Sequence, residues 1–84
     1  MIEREIKTWV LQMMLAAKGS PVPDDALRGS IRARFPHIAF TEADLGGYVR
    51  ATEAAGFIAG TNDEVFGVMW ALTPKGNIRA KQLA

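Results

Sequence analysis

Among its 84 residues the chain has no cysteine. That excludes a disulfide framework, a thiolate nucleophile and any zinc site built on Cys ligands. Histidine is nearly absent too: the single one, His37, has no neighbouring His or carboxylate cluster at metal-ligand spacing, so it reads as a structural or solvent-facing residue. No apolar run is long enough for a membrane span. The richest, residues 9–17, is closed by Lys18, well short of the roughly 18–20 residues a span needs. It also lacks the basic start and cleavage pattern of a signal peptide, so a cytoplasmic location is the expectation. Signatures of chemistry are equally scarce. Ser20 and Ser30 stand in no nucleophile motif, and adjacent Asp24 and Asp25 would point about 100° apart on a helix, which suits a helix start better than an acid/base pair. Gly46-Gly47 has neither the spacing nor the preceding strand of a phosphate loop. The expectation is a protein that is not an enzyme, with no catalytic residue, no metal and no cofactor.

What is present is a hydrophobic content of 49 %, enough for one modest core, and residues 1–84 read as a single domain. The formal net charge of +1 is unevenly spread. Residues 1–40 carry Arg4, Lys7, Lys18, Arg28, Arg32 and Arg34 against Glu3, Glu5, Asp24 and Asp25. Residues 41–72 carry Arg50 alone against Glu42, Asp44, Glu53, Asp63 and Glu64. Residues 73–84 carry Lys75, Arg79 and Lys81 with no acid. The middle of the chain is therefore acidic and both flanks are basic.

Taken in order, residues 2–17 predict a helix, with Ile2, Ile6, Trp9, Val10, Met13 and Ala17 on one face and Lys18-Gly19 at its end. Leu11 and Leu15 lie roughly opposite that stripe and need a second cover, either the C-terminal segment with Ile78 and Leu83 or another copy of the chain. Ser20-Pro21-Val22-Pro23 is an extended linker able to lend a residue pair to a sheet. A second helix spans 24–34, with Leu27, Ile31 and Phe35 turned inward and Pro36 ending it. Thr41 and Asp44 resemble a capping box opening a third helix that runs to about residue 55, with Gly56 as its C-cap. Leu45, Tyr48, Val49 and Thr52 share its packing face, and the opposite face is small: Ala43, Gly46, Gly47, Arg50 and Ala54. Two glycines there mean an irregular helix or a close approach to its backbone. From Phe66 onward Phe66, Val68, Trp70 and Leu72 alternate with Gly67, Met69 and Ala71, which predicts a strand with the larger row facing the core. Its partner is Phe57, Ile58 and Ala59, with the turn in 60–64. Thr73 and Pro74 then start a short basic helix.

Two stretches carry a resemblance. Leu45, Val49-Arg50 and Ala54-Ala55-Gly56-Phe57-Ile58 look like the end of the third helix of the winged helix-turn-helix family, where a glycine and two apolar residues turn into the first wing strand. Trp70-Ala71-Leu72-Thr73-Pro74-Lys75-Gly76 looks like that family's second wing strand and its exit. Together they span about residues 24–76. The resemblance implies an α+β fold: a three-helix winged helix-turn-helix core, a C-terminal two-stranded β-hairpin wing and a short C-terminal helix.

In that family the third helix usually enters the major groove and the wing contacts the backbone or minor groove. The resemblance thus implies a DNA-associated protein, a transcriptional regulator or an accessory factor of a mobile element such as a phage or prophage. Its nucleic-acid contacts would be Arg28, Arg32, Arg50 and Lys75, held mainly to the DNA backbone. The sequence departs from the family at both docking elements. Of the groove-facing positions only Arg50 can donate to a base edge, and the wing tip Thr61-Asn62-Asp63-Glu64 is acidic. The alternative is a winged-helix module that binds protein and not DNA, through Leu11 and Leu15 or through the Gly46-Gly47 face. Duplex DNA, a second copy in a homodimer and another protein are the partners left open; a membrane and a small-molecule substrate are not expected.

Overall fold

The computed structural model describes residues 2–83. It is a mixed α+β structure of four helices and one three-stranded antiparallel sheet. The elements follow as α1 (Ile2–Ala16), β1 (Val22–Pro23), α2 (Asp24–Arg34), α3 (Glu42–Ala54), β2 (Ile58–Asp63), β3 (Gly67–Leu72) and α4 (Pro74–Leu83). The sheet order is β1-β3-β2. The linker prolines therefore do lend a pair to the sheet, Val22 opposite Trp70 and Pro23 opposite Met69. No helix among the described residues is long and apolar enough to cross a membrane.

Local chemistry sets most boundaries. α1 stops where Lys18 and Gly19 take left-handed backbone angles, φ 55° and 84°. α3 opens with a complete capping box: Asp44 N–H donates to Thr41 Oγ1 at 3.0 Å and Thr41 N–H to Asp44 Oδ2 at 2.9 Å. It closes on Gly56 at φ 83°, with Gly56 N–H bonded to Glu53 O and Phe57 N–H to Thr52 O, the paired bonds of a Schellman end. Thr73 Oγ1 accepts from Gly76 N–H at 3.0 Å, which caps α4 directly before Pro74.

One core joins every layer. Ile6, Val10 and Met14 of α1, Leu27 and Ile31 of α2, Leu45 and Val49 of α3, Ile58 of β2 and Trp70 of β3 are all buried, with Val22, Phe35 and Phe40 closing its edges. Burial of side chains of this kind contributes about 1.5–3 kcal/mol each before chain entropy is set against it.

Three expectations from the sequence are corrected here. The buried stripe of α1 is rotated toward Leu11 and Met14, while Ile2 is exposed and Trp9, Met13 and Ala17 are half-buried. The rotation follows from α4, which packs along the other side of α1 and gives it a second apolar contact. The hairpin turn lies at 64–66 and not in 60–64, so β2 is longer than expected. Gly60 is needed inside the strand: it faces Trp70, and a Cβ there would stand 2.9 Å from the indole ring. The larger row of β3 is only partly inward. Trp70 is buried and Leu72 half-buried, but Val68 is 37 % exposed and Phe66, at the turn, 64 %. Ile58, Gly60 and Asn62 face Leu72, Trp70 and Val68 across the ladder; Ile58 and Trp70 are buried and Leu72 half-buried, while Gly60, Asn62 and Val68 are exposed.

Candidate interaction face

Of the expected nucleic-acid contacts Arg28, Arg32 and Arg50, the structure brings the first two together through acids. Arg28 Nε donates to Asp24 Oδ2 at 2.8 Å, and its Nη1 reaches both the backbone oxygen and Oε2 of Glu42 at 3.2 Å. Arg32 Nη1 donates to Phe40 O at 2.8 Å and Nη2 to Glu42 Oε1 at 3.1 Å. Asp24 then extends the chain of contacts into the sheet, because its Oδ1 accepts from Trp70 Nε1 at 2.9 Å. A continuous polar network thus runs from β3 through α2 to the first turn of α3. Such partly exposed ion pairs contribute only about 0–1 kcal/mol each. Their larger consequence is local: two guanidinium groups lie along the surface with two of the three nitrogens of each already hydrogen-bonded.

Gly46 lies beside this network: a Cβ on it would stand 3.4 Å from Arg28 Nη2, an ordinary contact with the end of a flexible side chain. Gly47 faces open space, and nothing in the structure explains it. Arg50 is exposed and has no carboxylate within ion-pair distance among the described residues. Lys75 is elsewhere and occupied: its Nζ donates to Ala55 O at 2.8 Å, at the end of α3, and lies 5.1 Å from the Phe57 ring centroid.

Between α3 and the hairpin runs a groove of about 470 Å³. Its floor is the buried Val49 and Trp70, Val68 is its exposed apolar residue, and Gly46 and Gly60 leave backbone within reach of a ligand. Asp24 and Glu53 sit at its margins with Arg28 and Arg50, so the groove itself is close to neutral. The surface around it is not. α3 and the hairpin carry Glu42, Asp44, Glu53, Asp63 and Glu64 against Arg50 alone. At the hairpin turn the backbone N–H groups of Phe66 and Val65 bind the Asp63 carboxylate and hold its pKa below the ordinary 3.8, so it stays charged.

The other expected interface is largely internal. Leu11 is 3 % exposed and packed under the C-terminal segment, the intramolecular cover of the two considered, whereas Leu15 is half-buried. Ile78, expected to help cover it, instead points outward at 61 % exposure, and α4 packs through Gly76 and Ala80. A seam centred on Leu11 is therefore not available without displacing α4. His37 is exposed in the loop after α2, and no cluster of three metal-ligating side chains occurs among the described residues.

Sequence reasoning passed over Asp24, Glu42 and Trp70 as members of one site. The spacing of Asp24 and Arg28 on a helix was a visible signal; the bond from Trp70 to Asp24, 46 residues apart, had none. Compared with family models, with curated proteins and with solved structures, the chain matches none.

Proposed function

We propose that the chain is a winged-helix-type binding module without catalytic function, and that its α3–hairpin face engages a protein segment and not duplex DNA. The winged-helix part is supported by three helices followed by a hairpin in that family's order, with the Leu45–Ile58 and Trp70–Gly76 stretches at the expected junctions. The observation that carries the choice of partner is the Arg28–Glu42–Arg32 network. Non-specific DNA affinity comes mainly from cations that neutralise phosphates, and here the two best placed cations are already neutralised. Drawing them to a phosphate would leave Glu42 facing the same phosphate, beside four further carboxylates on α3 and the hairpin. Arg50 remains as one donor. A single cation on a surface with five acids supplies little of the attraction a duplex needs. A protein segment is a better match: it can place an apolar side chain against Val68, the exposed apolar residue of the groove, and pair with Glu53 and Arg50 at the margins.

The test is a titration against random-sequence duplex DNA at two salt concentrations, combined with a photo-crosslinking residue at Thr61 in the groove or at Ala33 on the far side of α2. The expected result is no DNA binding at low salt, and a discrete protein adduct in the native host from position 61 only. Binding that weakens steeply with salt would overturn this reading in favour of DNA held through its backbone, with Arg28, Arg32 and Arg50 released from their carboxylates.

A further inference from the structure

The hairpin ends in an apolar point that the fold does not use. Val65 is 81 % exposed and Phe66 64 %, yet the turn that carries them is well defined. Asp63 Oδ1 accepts from the N–H groups of Val65 at 2.8 Å and Phe66 at 2.9 Å, and Gly67 supplies the φ of 75° that returns the chain to β3. Asp63 and Glu64 put two negative charges beside the aromatic ring. An acidic point of this kind is repelled by phosphate, whether on nucleic acid or on an anionic lipid surface. Its complement is an apolar hollow with a basic rim.

The chain has such a hollow. Between α1 and α4 lies a groove of about 760 Å³ whose accessible apolar part is the half-buried Phe57 and Leu83, above the buried Leu11. Arg4, Lys7 and Arg79 stand around it. Lys7 is paired with Glu3 at 3.4 Å, but Arg4 and Arg79 have no carboxylate partner among the described residues. The groove and the point cannot meet within one molecule. Phe57 lines the groove, and β2 then runs away from it for six residues, a separation of roughly 20 Å at strand rise.

The geometry points to a second copy of this chain as the occupant of the α1–α4 groove, which receives the Val65-Phe66 tip while Asp63 and Glu64 meet Arg4 and Arg79. The contact is between two different surfaces, so it builds a closed assembly or an open chain according to whether the rotation between copies closes. It is smaller than a standard protein interface, and the association is correspondingly concentration-dependent. This inference uses surfaces other than the α3–hairpin groove and does not rest on the partner proposed for that groove.

Sedimentation of the whole chain between roughly 10 µM and 1 mM, the range of weak affinities, tests it. The weight-average mass is expected to rise with concentration. Phe66→Asp, which changes only an exposed tip, and Arg79→Glu, which changes only the rim, are each expected to remain monomeric, with unchanged circular dichroism showing that both fold. An equimolar mixture of the two is expected to associate, because the first keeps an intact groove and the second an intact tip. A wild-type chain that stays monomeric throughout would overturn the inference. So would association that survives Phe66→Asp, or a mixture of the two variants that stays monomeric. Each of these readings is independent of the DNA titration.

Discussion

The two ends of the hairpin are built from the same alternating strands and reach opposite outcomes. At its base Ile58, Trp70 and Leu72 pack into the core, Gly60 lies beneath the indole ring, and Gly76 of α4 rests on the Phe57 carbonyl so closely that a Cβ would fall 1.9 Å from its oxygen. Toward the tip the alternation continues through Val68, which is 37 % exposed, and past it Val65 and Phe66 are largely uncovered. Strand geometry is set by the ladder and the turn, while burial is set by what lies above the strand. The base is specified by packing. The tip is specified by one carboxylate.

Substitutions at the two ends should separate accordingly. The largest effect is expected for Gly76→Ala, because the new methyl group meets backbone and α4 must move as a unit; chemical denaturation should show a loss of about 3 kcal/mol or more. Gly60→Ala should cost about 1–3 kcal/mol, since the ring at 2.9 Å is held by the core and by Asp24 and has little room to shift. Its near-ultraviolet circular dichroism should change along with stability. Phe66→Ser, at the other end, should alter stability by no more than about 0.5 kcal/mol. A large loss there would mean that the tip is part of the core after all.

Acid should also act at the tip. Asp63 has a folded pKa lowered chiefly by the N–H of Phe66 and then by that of Val65. A lowered carboxylate pKa stabilises fully above the unfolded value, and the contribution fades as pH falls through the folded value. The amide resonances of Phe66 and Val65 should therefore stay constant to about pH 4 and move together only below the ordinary 3.8.

Much of the architecture was legible because it is written locally. The Thr41–Asp44 box, the Gly56 helix end and the Thr73-Pro74 start each need only a few adjacent residues, and each appears as read. What escaped was set by contacts far apart in sequence. Gly60 looked like a turn residue because a glycine among polar neighbours usually is one; its true constraint is a ring ten residues later on the next strand. The α1 stripe was misjudged for a similar reason, since a helix packed on two sides has no single apolar face. Arg28 and Arg32, four residues apart on the second helix, were both expected at the interface. That they would be tied to Glu42 depended on how the 35–41 loop returns α3 toward α2, which no periodicity encodes.

The bond between the Trp70 indole and Asp24 gives the protein an optical property. Asp24 holds the indole with one oxygen and Arg28 with the other, so a ligand that draws Arg28 away changes the charge beside the ring. The only other tryptophan, Trp9, lies on α1 near Ser30 at 3.4 Å, away from this network. In a Trp9→Phe chain, emission from Trp70 should shift when the α3–hairpin groove is occupied and stay still when only the α1–α4 groove is filled. One fluorophore already in the fold can thus tell which of the two surfaces a partner has chosen.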